Sequence, residues 1–138
     1  DARQGQRFRR LQPLGYECNA EIVENAKADA KLTGAVIDVS NDPESAVKNA
    51  DVVYTDTWVS MGQEEEKAKR IKDFEGYTID EKLFSLADSE AVFMHCLPAY
   101  RGYEVTEGVI DGPNSVIFDE AENRLHVQKA VMALTMGD

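Results

Sequence analysis

At 138 residues the chain has material for one domain with a single core. A composition 43% hydrophobic and 30% charged is that of a globular protein and excludes a disordered or fibrous one, while no apolar run approaches the ~20 residues a bilayer span needs. Fifteen basic against 26 acidic residues leave a net charge of −11, which repels a phosphate backbone and argues against nucleic-acid partners. Two cysteines, Cys18 and Cys96, cannot build a disulfide framework, and a reducing cytoplasm or mitochondrial matrix is the expected setting. No signal peptide is read in the sequence shown, because no early segment joins a basic stretch to an apolar core.

In chain order, residues 7–13 (RFRRLQP) read as a poor strand. The first ten residues carry a net +3 and the remainder −14, so this start is either a basic arm or a solvated end. Asn19 caps a helix in which Ile22, Val23, Ala26 and Ala30 share one face. Residues 35–40 (AVIDVS) read as a buried strand. Asp42 followed by Pro43 starts a helix, with proline at the position where its missing N–H costs nothing. A second strand is expected at 51–58 (DVVYTDTW). The helix expected over 63–75 pairs Glu65 with Lys69 and Glu66 with Arg70. Two more strands are read at 91–98 (AVFMHCLP) and 115–119 (SVIFD). The last helix, 120–136, is entered through Asp119 with Glu122 three residues on and closed by Gly137; Val127, Ala130, Val131 and Leu134 form its buried stripe. Strands alternating with helices predict an α/β fold, a parallel sheet of four or five strands with helices on both faces. Ligands of such sheets bind beyond the carboxyl ends of the strands.

Two unusual stretches fall at such ends. The strand DVVYTDTW delivers Asp56 and leads into Ser60, with Gln63 placed for a capping box. A serine ahead of a helix is most often simply a cap. The same geometry offers free N–H groups to a carboxylate, with Asp56 near enough to hold an ammonium, which is what an α-amino acid needs. The other stretch ends in His95, Cys96, Leu97 and Pro98. Pro98 cannot extend the ladder, so the strand stops and leaves Cys96 near the rim. A lone cysteine on an apolar strand is usually packing, and a lone histidine usually a satisfied near-core residue. If Cys96 opens on the crevice of Asp56, a neighbouring histidine and a cationic ligand would favour its thiolate. Cysteine and histidine at 18, 95, 96 and 126 show no zinc spacing, and no metal is expected.

DTWVSMG at 56–62, HCLP at 95–98 and FDEAENRLHVQKAVMAL at 118–134 resemble the signature segments of ornithine carbamoyltransferases, in that family's order. The likeness runs from about Gly15 to the end, some nine-tenths of the chain, with residues 1–14 set apart. Aspartate carbamoyltransferases are expected to carry proline where Cys96 stands, and putrescine and acetylornithine carbamoyltransferases lack the Ser-Met-Gly after Trp58. The resemblance implies a Rossmann-like, ornithine-binding domain and transfer of a carbamoyl group from carbamoyl phosphate to the δ-amine of L-ornithine, giving L-citrulline and phosphate without a cofactor. It implies that Asp56 holds the α-ammonium and that Ser60 and Met61 form the loop closing over the amino acid. Cys96 would sit by the δ-amine and relay its proton, the Leu97 carbonyl would orient the carbamoyl NH₂, Arg124 would reach the carbamoyl group, and His95 would support. It further implies a homotrimeric parent and an N-terminal carbamoyl-phosphate half lying outside this sequence, as would the first strand of the ornithine domain. Where the family has an apolar strand this chain has RFRRLQP, and Cys18 replaces an expected proline.

Three readings remain at this point. The parent is a transcarbamylase of ornithine, or the chain is an amino-acid-binding fragment or inactive paralogue that performs no chemistry. The third, a nucleotide-binding sheet, is discounted because no G-x-G-x-x-G follows a strand.

Overall fold

The computed structural model describes residues 6–60 and 62–136. The chain divides into two compact units, 1–48 and 49–138. The four strands in the described residues form two parallel ladders, one in each unit.

In the first unit, β1 (Arg7–Leu11) pairs in parallel with β2 (Val36–Ser40), from Arg7 opposite Val36 to Leu11 opposite Ser40. The basic stretch is therefore a strand, and its arginines explain themselves. Arg7 Nε donates to Asp38 on β2 at 2.8 Å, and Arg9 donates to the carbonyls of Ala46 and Lys48. Those two carbonyls lie at the end of α2 (Pro43–Val47), where unpaired C=O groups attract a cation. α2 starts as expected, with the Asp42 side chain accepting from Glu44 N and Pro43 in the first turn. α1 (Ala20–Thr33) is capped by Asn19, which accepts from Glu21 N and Ile22 N, and ends at Gly34 in the left-handed region, φ 75°. On its inner face Ala30 is buried and Val23 and Ala26 half-buried, but Ile22 points outward, 66% exposed.

In the second unit, β3 (Val52–Thr55) pairs in parallel with β4 (Val92–His95), Val52 opposite Val92 through Thr55 opposite His95. Between them come a 3-10 turn (Glu64–Glu66), α3 (Lys67–Asp73) and the short α4 (Glu81–Phe84). Glu66 pairs with Arg70 as expected, and Lys69 pairs with Asp73. After β4 come α5 (Glu107–Ile110) and α6 (Ile117–Met136). The short helices α4 and α5 are absent from the sequence expectation, because one turn carries too little periodicity to read. Phe93, Val105, Ile110 and Ile117 form the fully buried centre of this unit.

Three expectations about the C-terminal end fail. Residues 115–119 are not a strand: Ser115 makes a single bridge to Phe93, Val116 N bonds Phe93 O, and Glu120 N already closes a helical turn on Val116 O. The apolar run is the buried foot of α6, and a run of five cannot distinguish those cases by pattern. The helix thus begins at Ile117, three residues early, and Asp119 lies in its first turn instead of capping it. The predicted stripe is not buried either, since Val127, Val131 and Leu134 are 61%, 52% and 85% exposed and Ala130 is exposed too. Nothing among the described residues covers that face. Gly137 lies outside the described residues.

Candidate active site

The parallel register fixes the site. Thr55 faces His95 at the last paired position, so the next residues out, Asp56 and Cys96, come side by side at the carboxyl ends of β3 and β4. Alternation along β4 sends Phe93 and His95 inward and leaves Cys96 exposed on the other side. The Cys96 thiol donates to Asp56 Oδ1 at 3.1 Å, and Thr57 N donates to the same oxygen at 2.7 Å. Tyr54, two residues before Asp56 and so on its face of β3, interacts with Cys96. That interaction, then burial, holds the Tyr54 phenol well above its usual range.

The thiol is also raised. Partial burial is the main cause, and the Asp56 charge and hydrogen bond add to it, while the Tyr54 phenol works against them. The sequence predicts a favoured thiolate, resting on His95 as a neighbour and a cation nearby. The fold turns His95 away from Cys96 and supplies the Asp56 carboxylate in its place, which favours the protonated thiol.

His95 is fully buried. Its Nδ1 accepts from Leu97 N at 2.9 Å and its Nε2 lies 3.2 Å from Glu104 Oε1. Leu97 sits in the left-handed region at φ 56°, and its bond to Pro98 is cis. Ser60 is exposed, its N–H donating to the Gln63 side chain at 3.3 Å, which is half of the expected capping box. The next element is a 3-10 turn, not the α-helical start assumed for anion binding. Met61 lies outside the described residues. The loop before it is held from below: Arg70 Nη1 donates to Trp58 O at 3.3 Å, and the buried Trp58 ring packs 5.5 Å from Phe74 and 6.4 Å from Tyr103. Trp58, Ile71, Pro98 and Tyr103 border a mostly apolar cavity of about 290 Å³ beneath this loop.

Arg124 is exposed on α6, and no hydrogen bond or ion pair among the described residues links it to Asp56, Cys96 or Leu97. The structure thus brings together Asp56, Cys96 and, through His95, Leu97. Sequence reasoning missed Tyr54 and Glu104. Tyr54 was findable from the i, i+2 spacing to Asp56; Glu104 carried no local signal. Among the described residues no cluster of three or more His, Cys, Asp or Glu residues is arranged to hold a metal.

Residues 2–135 match the family described as aspartate/ornithine carbamoyltransferase, Asp/Orn binding domain. The chain belongs to that family. It is 63% identical over 120 residues to an ornithine carbamoyltransferase of Caldicellulosiruptor saccharolyticus, covering 87% of this chain and 39% of that protein. The solved ornithine carbamoyltransferase of Pyrococcus furiosus superposes with a TM-score of 0.89 at 49% identity, over 96% of this chain and 42% of that one. The anabolic enzyme of Campylobacter jejuni gives 0.88 at 48%, over 94% and 43%. The chain therefore spans about two-fifths of the length of these carbamoyltransferases. Among the described residues no helix is long and apolar enough to cross a membrane.

Proposed function

We propose that this chain forms the ornithine wall of an ornithine carbamoyltransferase, a transferase moving the carbamoyl group of carbamoyl phosphate to the δ-amine of L-ornithine. The observation that carries the reading is the pair at the strand ends, an exposed carboxylate 3.1 Å from a protonated thiol, in a chain 63% identical to a protein of that name.

Asp56 is exposed and has a partly committed carboxylate, suited to an ammonium: the α-amino group of ornithine takes its place there. Neutralising Asp56 removes one of the influences that raise the Cys96 thiol. Substrate binding thereby moves Cys96 toward the thiolate when a δ-ammonium must lose its proton before attack. The Leu97 carbonyl orients the carbamoyl NH₂. Ser60 and Met61 close over the amino acid, and Arg124 reaches the carbamoyl oxygen once the second wall of the site is in place. That wall, with the phosphate-binding groups, belongs to a carbamoyl-phosphate domain outside this sequence. The parent is a homotrimer of a reducing compartment and uses no cofactor.

The test offers the complete protein L-ornithine, N-acetyl-L-ornithine and L-aspartate as acceptors of the carbamoyl group. Citrulline from ornithine, with far slower turnover of the other two, is the expected result. Preference for aspartate or N-acetylornithine, or no transfer to any acceptor, would overturn the reading.

A further inference from the structure

Glu104 is a carboxylate with no solvent exposure, a costly placement unless its partners are fixed. One of its oxygens, Oε1, takes two donors: Tyr100 N at 2.6 Å and the His95 ring at 3.2 Å. The other, Oε2, is buried without a partner among the described residues. The backbone of Glu104 is itself anchored, its carbonyl accepting from Ile79 N at 2.9 Å beside the Ile79–Val105 bridge.

The His95 ring relays this anchor outward. Nδ1 accepts from Leu97 N and so carries no hydrogen, which puts the proton of the neutral ring on Nε2, facing Glu104. Leu97 has a positive φ that residues with a side chain rarely adopt, and this N–H bond holds it there. Tyr100, on the far side of Pro98, is tied to the same carboxylate oxygen. Both flanks of the turn bearing Cys96, Leu97 and Pro98 thus converge on one buried atom.

We propose that Glu104 is a positioning residue for the transfer: acting through His95 and Tyr100, it sets the direction of the Leu97 carbonyl and Cys96 thiol at the site. The inference rests on the transferase reading above. Without the Glu104 acceptor the ring is free to place its proton on Nδ1, where it would meet the Leu97 N–H donor to donor, and the left-handed turn would lose its support. Only Oε1 accepts, so a glutamine carbonyl can replace it.

The test compares Glu104→Leu and Glu104→Gln with the parent in two measurements. Nitrogen-15 NMR of the histidine rings reads the His95 tautomer in this chain, and steady-state kinetics reads transfer in the complete protein. The parent is expected to show hydrogen on Nε2 of His95. Glu104→Leu is expected to lose that single tautomer and to lower kcat by about tenfold to a hundredfold, the scale of a misplaced reacting group, with the KM for ornithine changing much less. Glu104→Gln is expected to keep the tautomer and most of kcat. A parent His95 with hydrogen on Nδ1, a Leu variant with unchanged tautomer and kcat, or a Gln variant as slow as the Leu variant would overturn the proposal. Should the Leu variant not fold, the parent tautomer and the Gln variant still decide. Absence of citrulline formation by the unsubstituted protein would overturn the transferase reading instead, while the NMR measurement still tests the Glu104–His95–Leu97 linkage.

Discussion

Replacing Asp56 by asparagine separates its charge from its shape. The asparagine side chain would retain an amide oxygen in place of Oδ1, the atom that accepts from Thr57 N and the Cys96 thiol, so the strand end keeps its local hydrogen bonds. Asp56 is exposed, and losing its charge leaves no buried group unpaired. Thermal stability should therefore change little. The ammonium contact, in contrast, loses its charge assistance, worth roughly 1.5–3 kcal/mol, or about tenfold to a hundredfold in ornithine affinity. A second consequence is readable without substrate. Asp56 raises the Cys96 pKa through both its charge and its hydrogen bond, so Asp56→Asn must lower it, and alkylation of Cys96 should set in at lower pH. Peptide mass spectrometry after iodoacetamide labelling distinguishes Cys96 from Cys18, and calorimetry or inhibition by an ornithine analogue in the complete protein reports affinity. Unchanged affinity with a large loss of thermal stability would make Asp56 a structural cap and refute the reasoning. An unmoved alkylation profile would show that the two side chains do not interact in solution.

Cys96→Ala in the complete protein should lower kcat and weaken ornithine while leaving carbamoyl-phosphate affinity nearly unchanged; identical ornithine kinetics would reduce the cysteine to packing. Phe93→Ala removes a fully buried ring that meets Phe84 edge-on with centroids 6.3 Å apart, and should cost about 3–5 kcal/mol in denaturant unfolding. A loss under about 1 kcal/mol would contradict the placement of the second unit's core on β4.

The strand ends were legible because one-dimensional signals coincide there. Short apolar runs, VVY in β3 and VFM in β4, mark these strands, Pro98 stops one of them, and a parallel ladder brings the following polar residues together. Asn19 and Asp42 are equally plain, since a cap needs only the residues beside it. Partners set by tertiary structure were not legible. His95 and Cys96 are neighbours in sequence, yet alternation puts them on opposite sides, so the histidine expected to favour a thiolate pairs with Glu104 instead. The same limit explains α6. Val127, Val131 and Leu134 have the spacing of a buried stripe, but periodicity identifies an apolar face without saying what covers it. RFRRL reads as a poor strand because composition does not reveal that Arg7 reaches Asp38 diagonally across the ladder, or that Arg9 has the end of α2 within reach.

The central claim, that this chain supplies the ornithine side of a site whose phosphate side lies elsewhere, is tested most directly by complementation. The 138 residues are assayed for citrulline from ornithine and carbamoyl phosphate, alone and then mixed with the separately produced remainder of the Caldicellulosiruptor saccharolyticus relative, the part that this chain does not match. Holding both reactants in one geometry can be worth ~7–11 kcal/mol of barrier, and one wall cannot do it. The account predicts no citrulline from the chain alone and measurable citrulline from the mixture, abolished by Cys96→Ala in this chain. Citrulline formed by the chain on its own would contradict it.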